Sequence, residues 1–224
     1  MIKPENIFDD FSNISGLWID GASWDGCDLA RVSDFIIEKN IVNISVPIGA
    51  TEKIWSWIES RNVRIFNRFD VDLSANTDGA ISNLAEQITG CFRFGATGAM
   101  VMVKISDLEK FTDAIHPIKN ALFFDHDFVV GLNTDKVNSD DWNRVFNLLN
   151  RVQPNAILIT ATGDKFDASS DFVGRVYAMF EHWNFDGELY LMFGKNMLRF
   201  SQVLRLAQKM QPTVAQKIIA FMPY

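Results

Sequence analysis

The feature that most constrains this chain is an alternation. Short apolar runs rich in β-branched and aromatic residues take turns with longer segments of helical period. The runs expected as strands are Leu17–Asp20, Val42–Pro47, Val63–Asn67, Met100–Lys104, Phe128–Asn133, Ala156–Thr160, Leu189–Phe193 and Lys217–Met222. They recur about every 20–36 residues, the spacing of one strand–helix unit.

Between the runs, apolar positions follow a helix. Trp142, Val145, Phe146, Leu149 and Val152 fall at i, i+3, i+4, i+7 and i+10. Phe172, Val176, Met179, Phe180 and Trp183 form a second such stripe, and Phe200, Val203, Leu204, Ala207 and Met210 a third. Ser106 and Glu109 have the spacing of a capping box beside Leu108 and Phe111. Pro154 and Pro212 stand where helices must stop.

Eight such strands alternating with helices over 224 residues predict one α/β domain spanning residues 1–224. Even spacing favours a closed (β/α)₈ barrel over an open doubly wound sheet. No helix follows the eighth strand. The segment Pro4–Phe11, with Ile7, Phe8 and Phe11 apolar, reads as a helix before strand one, filling the vacant place or capping the barrel's bottom.

Composition narrows the function classes. With 48% hydrophobic residues the chain can bury a large core, which excludes disorder and a small stapled scaffold. A net charge of −7 argues against a phosphate-backbone binder, though a local pocket can still be positive. Cys27 and Cys91 lie far apart in no metal spacing, the pattern of reduced thiols. No run approaches the roughly 18 apolar residues of a membrane span. The expectation is a cytoplasmic protein without nucleic-acid or membrane partners, open to homodimerising along the side near strand eight.

A barrel turns sequence position into geometry. Strand C-termini and the loops after them face the catalytic mouth, while helix-to-strand loops face the other end. On this rule all three histidines fall on the far side: His116 and His182 at helix C-termini, His126 in a solvated turn (Asp125-His126-Asp127) entering strand five. A strand five beginning at Ala121 would reverse that for His126. Without a histidine at the mouth, a Ser–His–Asp triad, a Cys–His dyad and a histidine-rich zinc site are disfavoured.

The mouth instead collects Asp20 with Trp24 and Asp25, then Asn67, Arg68 and Asp70, then Lys104, Asn133, Thr160 and Lys195 with Asn196. Lys104, at the end of an apolar strand, is expected to be partly desolvated, which lowers an ammonium pKa and favours an amine nucleophile. The leading expectation is a lyase of Schiff-base aldolase type, or an isomerase, acting on a small anionic carbonyl or phosphorylated metabolite. In that reading Lys104 is the amine and Asp20 or Asp70 the general acid/base. Arg68 or Lys195 holds the anion, with Asn67, Asn133, Thr160 and Asn196 facing ligand.

No organic cofactor is expected. Two alternatives compete. Asp20, Asp70 and Asp72 offer hard oxygens suited to Mg²⁺ along the connection 68–79, which reads as the longest strand-to-helix loop. Alternatively, a mouth plugged by Trp24 and Phe69 would make a noncatalytic binding barrel. Gly194-Lys195-Asn196 ahead of a helix suits a phosphate site, but ordinary loop is the plainer reading.

Overall fold

The computed structural model describes residues 14–19, 26–58, 62–123, 125–133, 137–160, 170–194 and 197–224. The expected alternation is realised. β1 (Ile14–Trp18), α1 (Gly26–Glu38), β2 (Asn43–Pro47), α2 (Thr51–Ile58), β3 (Arg64–Asp70), α3 (Thr77–Arg93) and β4 (Gly98–Met102) make the first half. Then come α4 (Leu108–Asp113), α5 (His116–Ala121), β5 (Asp127–Asn133), α6 (Trp142–Val152), β6 (Ala156–Thr160) and α7 (Ser170–Glu181). β7 (Glu188–Met192), α8 (Met197–Met210), α9 (Pro212–Ala215) and β8 (Ile218–Pro223) complete the order.

All eight strands run parallel and pair in sequence order, with β8 closing on β1. The chain is a closed (β/α)₈ barrel. Residues 4–11, expected as an N-terminal helix, lie outside the described residues. Among the described residues no helix is long and apolar enough to cross a membrane.

Side chains alternate between two apolar layers, as a pleated strand requires. The outer layer joins strands to helices; in α6 it buries Trp142, Val145, Phe146, Leu149 and Val152, the stripe read from the sequence. The inner layer fills the barrel with Phe66, Met100, Val129, Ala156, Leu158, Tyr190 and Phe221. Glycine makes room for these side chains. A Cβ on Gly16 would stand 2.7 Å from the Phe221 ring, one on Gly98 2.6 Å from the Phe66 ring, and one on Gly131 would overlap Met102 Sδ. Each pair sets an empty position on one strand against a large side chain on the next, so the lumen is packed.

Two local expectations change and one is extended. Ser106 and Glu109 form no capping box: a 3₁₀ turn, Ile105–Asp107, precedes α4, and Ser106 Oγ bonds Asp107 Oδ1. Pro212 both stops α8 and opens the short α9 at its first position, where its missing N–H costs nothing. A tryptophan on a helix is expected to fill the layer between helices and sheet, yet Trp57 on α2 is exposed, whereas Trp142 is fully buried.

Candidate active site

Strand boundaries decide which residues reach the mouth. β3 continues through Asp70, so Arg68 and Asp70 stand on the strand itself and the following connection is only 71–76. The inner-layer residue Phe66 sets the parity: Arg68 and Asp70 follow it at steps of two and share the lumen side.

Among the described residues of the mouth, Arg68 is held on several sides. Its guanidinium lies 4.1 Å from the centre of the Trp18 ring. Nη2 donates to Ile19 O at 2.8 Å and Nη1 to Ser45 O at 3.3 Å, so one side chain grips β1, β2 and β3 at the mouth. Half-buried and stacked, it is a positioned cation rather than a solvated one.

Lys104 is not where the sequence suggested. β4 ends at Met102, so Lys104 stands two residues beyond the strand with its side chain 62% exposed. The expected desolvation is therefore absent. Instead its Nζ lies 3.4 Å from Asp72 Oδ1, bridging the connections after β3 and β4. Asp72 is held below the usual carboxylate range, first by the Ser74 hydroxyl and backbone N–H and then by the Lys104 charge. Asp70, exposed at the end of β3, belongs to the same sector of the rim.

Of the remaining expected residues, Asn67 lies off the lumen. Its parity turns it outward, and it is fully buried. Thr51 Oγ1 donates to its Oδ1 at 2.7 Å and its Nδ2 donates to Pro47 O, so it ties β3 to the start of α2. Phe69 also points outward into the helix layer and plugs nothing. Asn133 and Thr160 end β5 and β6 side by side, on the parity of the inner-layer residues Val129 and Leu158. Thr160 is buried with its hydroxyl donating to Leu132 O. Asp20, Trp24, Asp25, Lys195 and Asn196 lie outside the described residues. Among the described residues no three His, Cys, Asp or Glu side chains gather as a metal site would need.

The histidines stay away from the mouth. His126 immediately precedes β5, but it is packed rather than solvated, stacked on Phe92 with ring centres 3.8 Å apart. His116 opens α5 rather than ending a helix, and that helix lies against the C-terminal half of α3. His182 follows α7.

The far end holds a cluster missed from the sequence. Arg64 Nε donates to Asn43 Oδ1 at 2.7 Å, and its Nη atoms reach Asp127 at 3.2 Å and Glu188 at 3.6 Å across the lumen. Tyr190 OH donates to Glu188 at 2.8 Å. Burial alone would lower the Arg64 pKa, but Tyr190, Glu188 and Asp127 outweigh it and hold it above the ordinary value. The readable signal was that β3, β5 and β7 each begin with a charged residue, since alternate strands of a barrel share a layer. Arg199, buried near the start of α8 over the Phe172 ring, was also missed.

Comparison with known proteins places this geometry in a fold. No protein-family model matches the chain, and no curated protein matches it in sequence. Solved structures do match. A protein assigned as a deoxyribose-phosphate aldolase from Coccidioides immitis superposes with a TM-score of 0.68 at 12% identity, over 99% of this chain and 84% of that one. The tetrameric deoxyribose phosphate aldolase of Aeropyrum pernix gives 0.63 at 14% identity, over 96% and 87%. Phosphonopyruvate hydrolase, solved with oxalate and Mg²⁺, gives 0.61 at 11% identity, over 96% and 77%. These likenesses define the class as an α/β barrel of the kind seen in aldolases and phosphonopyruvate hydrolase; at such identities they carry the fold alone.

Proposed function

We propose that this barrel is an aldolase-type lyase acting on a small anionic carbonyl compound at its C-terminal mouth. The observation that carries the reading is Arg68, a cation stacked on Trp18 inside the mouth and aimed by two backbone carbonyls. Arginine's planar fork suits a carboxylate or phosphate. Lys104, on the neighbouring sector, is the amine for the carbonyl carbon, and Asp70 the acid/base on the same strand as Arg68. Lys104 enters by residue type and place, not by desolvation, so substrate must draw it from Asp72 before it can react.

That exposure of Lys104 favours a second reading, a barrel that binds the anion without chemistry. Borohydride reduction in the presence of short 2-oxo acids or sugar phosphates, followed by intact mass, separates the two. A covalent adduct mapping to Lys104 and lost in Lys104→Met supports the lyase. Binding without an adduct supports the second reading and removes the first.

A further inference from the structure

The apolar side chains around Arg68 in the lumen bear on the class of ligand. Among the described residues, the side chains packed on the inner layer toward the mouth are hydrocarbon, aromatic and thioether, with Asn133 and Thr160 ending β5 and β6 on the same lumen side, level with Met192. Met102 and Met192 are partly exposed and packed on the inner layer, with Met100 and Leu158 buried below them. Room for Met102 comes from Gly131, since any side chain there would overlap its sulfur. Ser45 is buried with its hydroxyl turned onto Met100 Sδ at 3.7 Å. Thr160 spends its hydroxyl on Leu132 O.

A polyhydroxylated chain placed on such a floor would lose water and find few partners among the described side chains, which weakens binding. A hydrocarbon chain would displace poorly held water, and flexible methionines adapt to its shape. We infer that the ligand of this mouth is an anion with an unhydroxylated, apolar tail, of the 2-oxo acid class, rather than a sugar phosphate. The anionic end lies at Arg68 and the tail on Met102 and Met192. This rests on the reading of the mouth as the ligand site, but not on Lys104 chemistry.

The test is calorimetric titration of the full chain with unbranched 2-oxo acids of increasing length, beside an analogue hydroxylated along its tail and inorganic phosphate. Affinity should rise roughly fourfold for each added methylene until the floor is covered, the factor expected for burying one such group. The hydroxylated analogue should bind at least about tenfold more weakly than its parent. Met102→Asn should flatten the series, and the volume-conserving Met102→Leu should preserve it. A flat series in the wild-type protein, tighter binding by the hydroxylated analogue, or no binding by any 2-oxo acid would each overturn the inference. The wild-type series decides even if a variant fails to fold. Graded binding without a borohydride adduct keeps the floor and removes the lyase; an adduct with a flat series does the reverse.

Discussion

Arg68 lies over the Trp18 ring at 4.1 Å while donating to Ile19 O and Ser45 O, and so fastens β1, β2 and β3 together at the mouth. This makes it structural as well as electrostatic. Arg68→Met should lower the unfolding free energy by about 1–3 kcal/mol, the loss of a cation–π contact and bonds to backbone carbonyls. Arg68→Lys should recover only part, because an ammonium cannot reproduce the fork. Urea denaturation of both variants checks this; wild-type stability in Arg68→Met would show that the contacts are incidental.

Asn67 and Arg68 are adjacent in sequence yet play opposite parts. Asn67→Ala would strand the Thr51 hydroxyl, buried and bonded to Asn67 Oδ1 at 2.7 Å. A cost of about 1–3 kcal/mol is expected. Since Asn67 faces the helix layer, ligand affinity in the folded variant should match wild type. A large affinity loss at unchanged stability would place Asn67 back among ligand contacts.

That contrast shows what the sequence could and could not supply. Periodicity and spacing located all eight strands and the barrel, because burial of a two-faced strand and a one-faced helix leaves a strong pattern. Strand ends were less legible. β1 begins three residues before its expected start and β4 two, and β4 ends at Met102 rather than Lys104, which changes what reaches the mouth. Asn67 moved from ligand contact to scaffold because side-chain parity reverses with every residue. Lys104 moved off the strand into solvent because its pairing with Asp72 depends on two loops meeting, which no local pattern encodes. The Arg64–Asp127–Glu188 cluster joins residues distant in sequence, so only its charged strand starts were visible.

Gly131→Ala tests the inner packing. The new methyl would overlap Met102 Sδ, forcing the thioether aside at a cost of about 1–3 kcal/mol. In the double variant Gly131→Ala, Met102→Ala the overlap is gone, so the two single costs should not add. Additive losses in denaturation midpoints would mean that the residues do not share the space.

Stability should fall at high pH in a defined window. Burial pushes the Cys91 thiol up to about 11 from 9.0, and burial foremost also raises Tyr190 above 10.0. In both cases the native state keeps its proton longer than the unfolded chain. The stabilisation is therefore complete below the unfolded pKa and is lost as pH rises from about 9 toward and beyond 11. Each unit of pKa difference is worth about 1.4 kcal/mol. Cys91→Ala should remove the part of the decline that begins near pH 9 and leave the part belonging to Tyr190. Identical slopes in wild type and variant, measured by urea unfolding across this range, would contradict a buried, protonated Cys91.

The mouth as an anion site anchored by Arg68 is tested most directly by titrating an apolar 2-oxo acid into wild type and into folded Arg68→Met, at low and moderate salt. Affinity at least about tenfold weaker in the variant is predicted, with the difference narrowing as salt rises. Equal affinity in the two proteins would contradict the account and move the ligand away from Arg68.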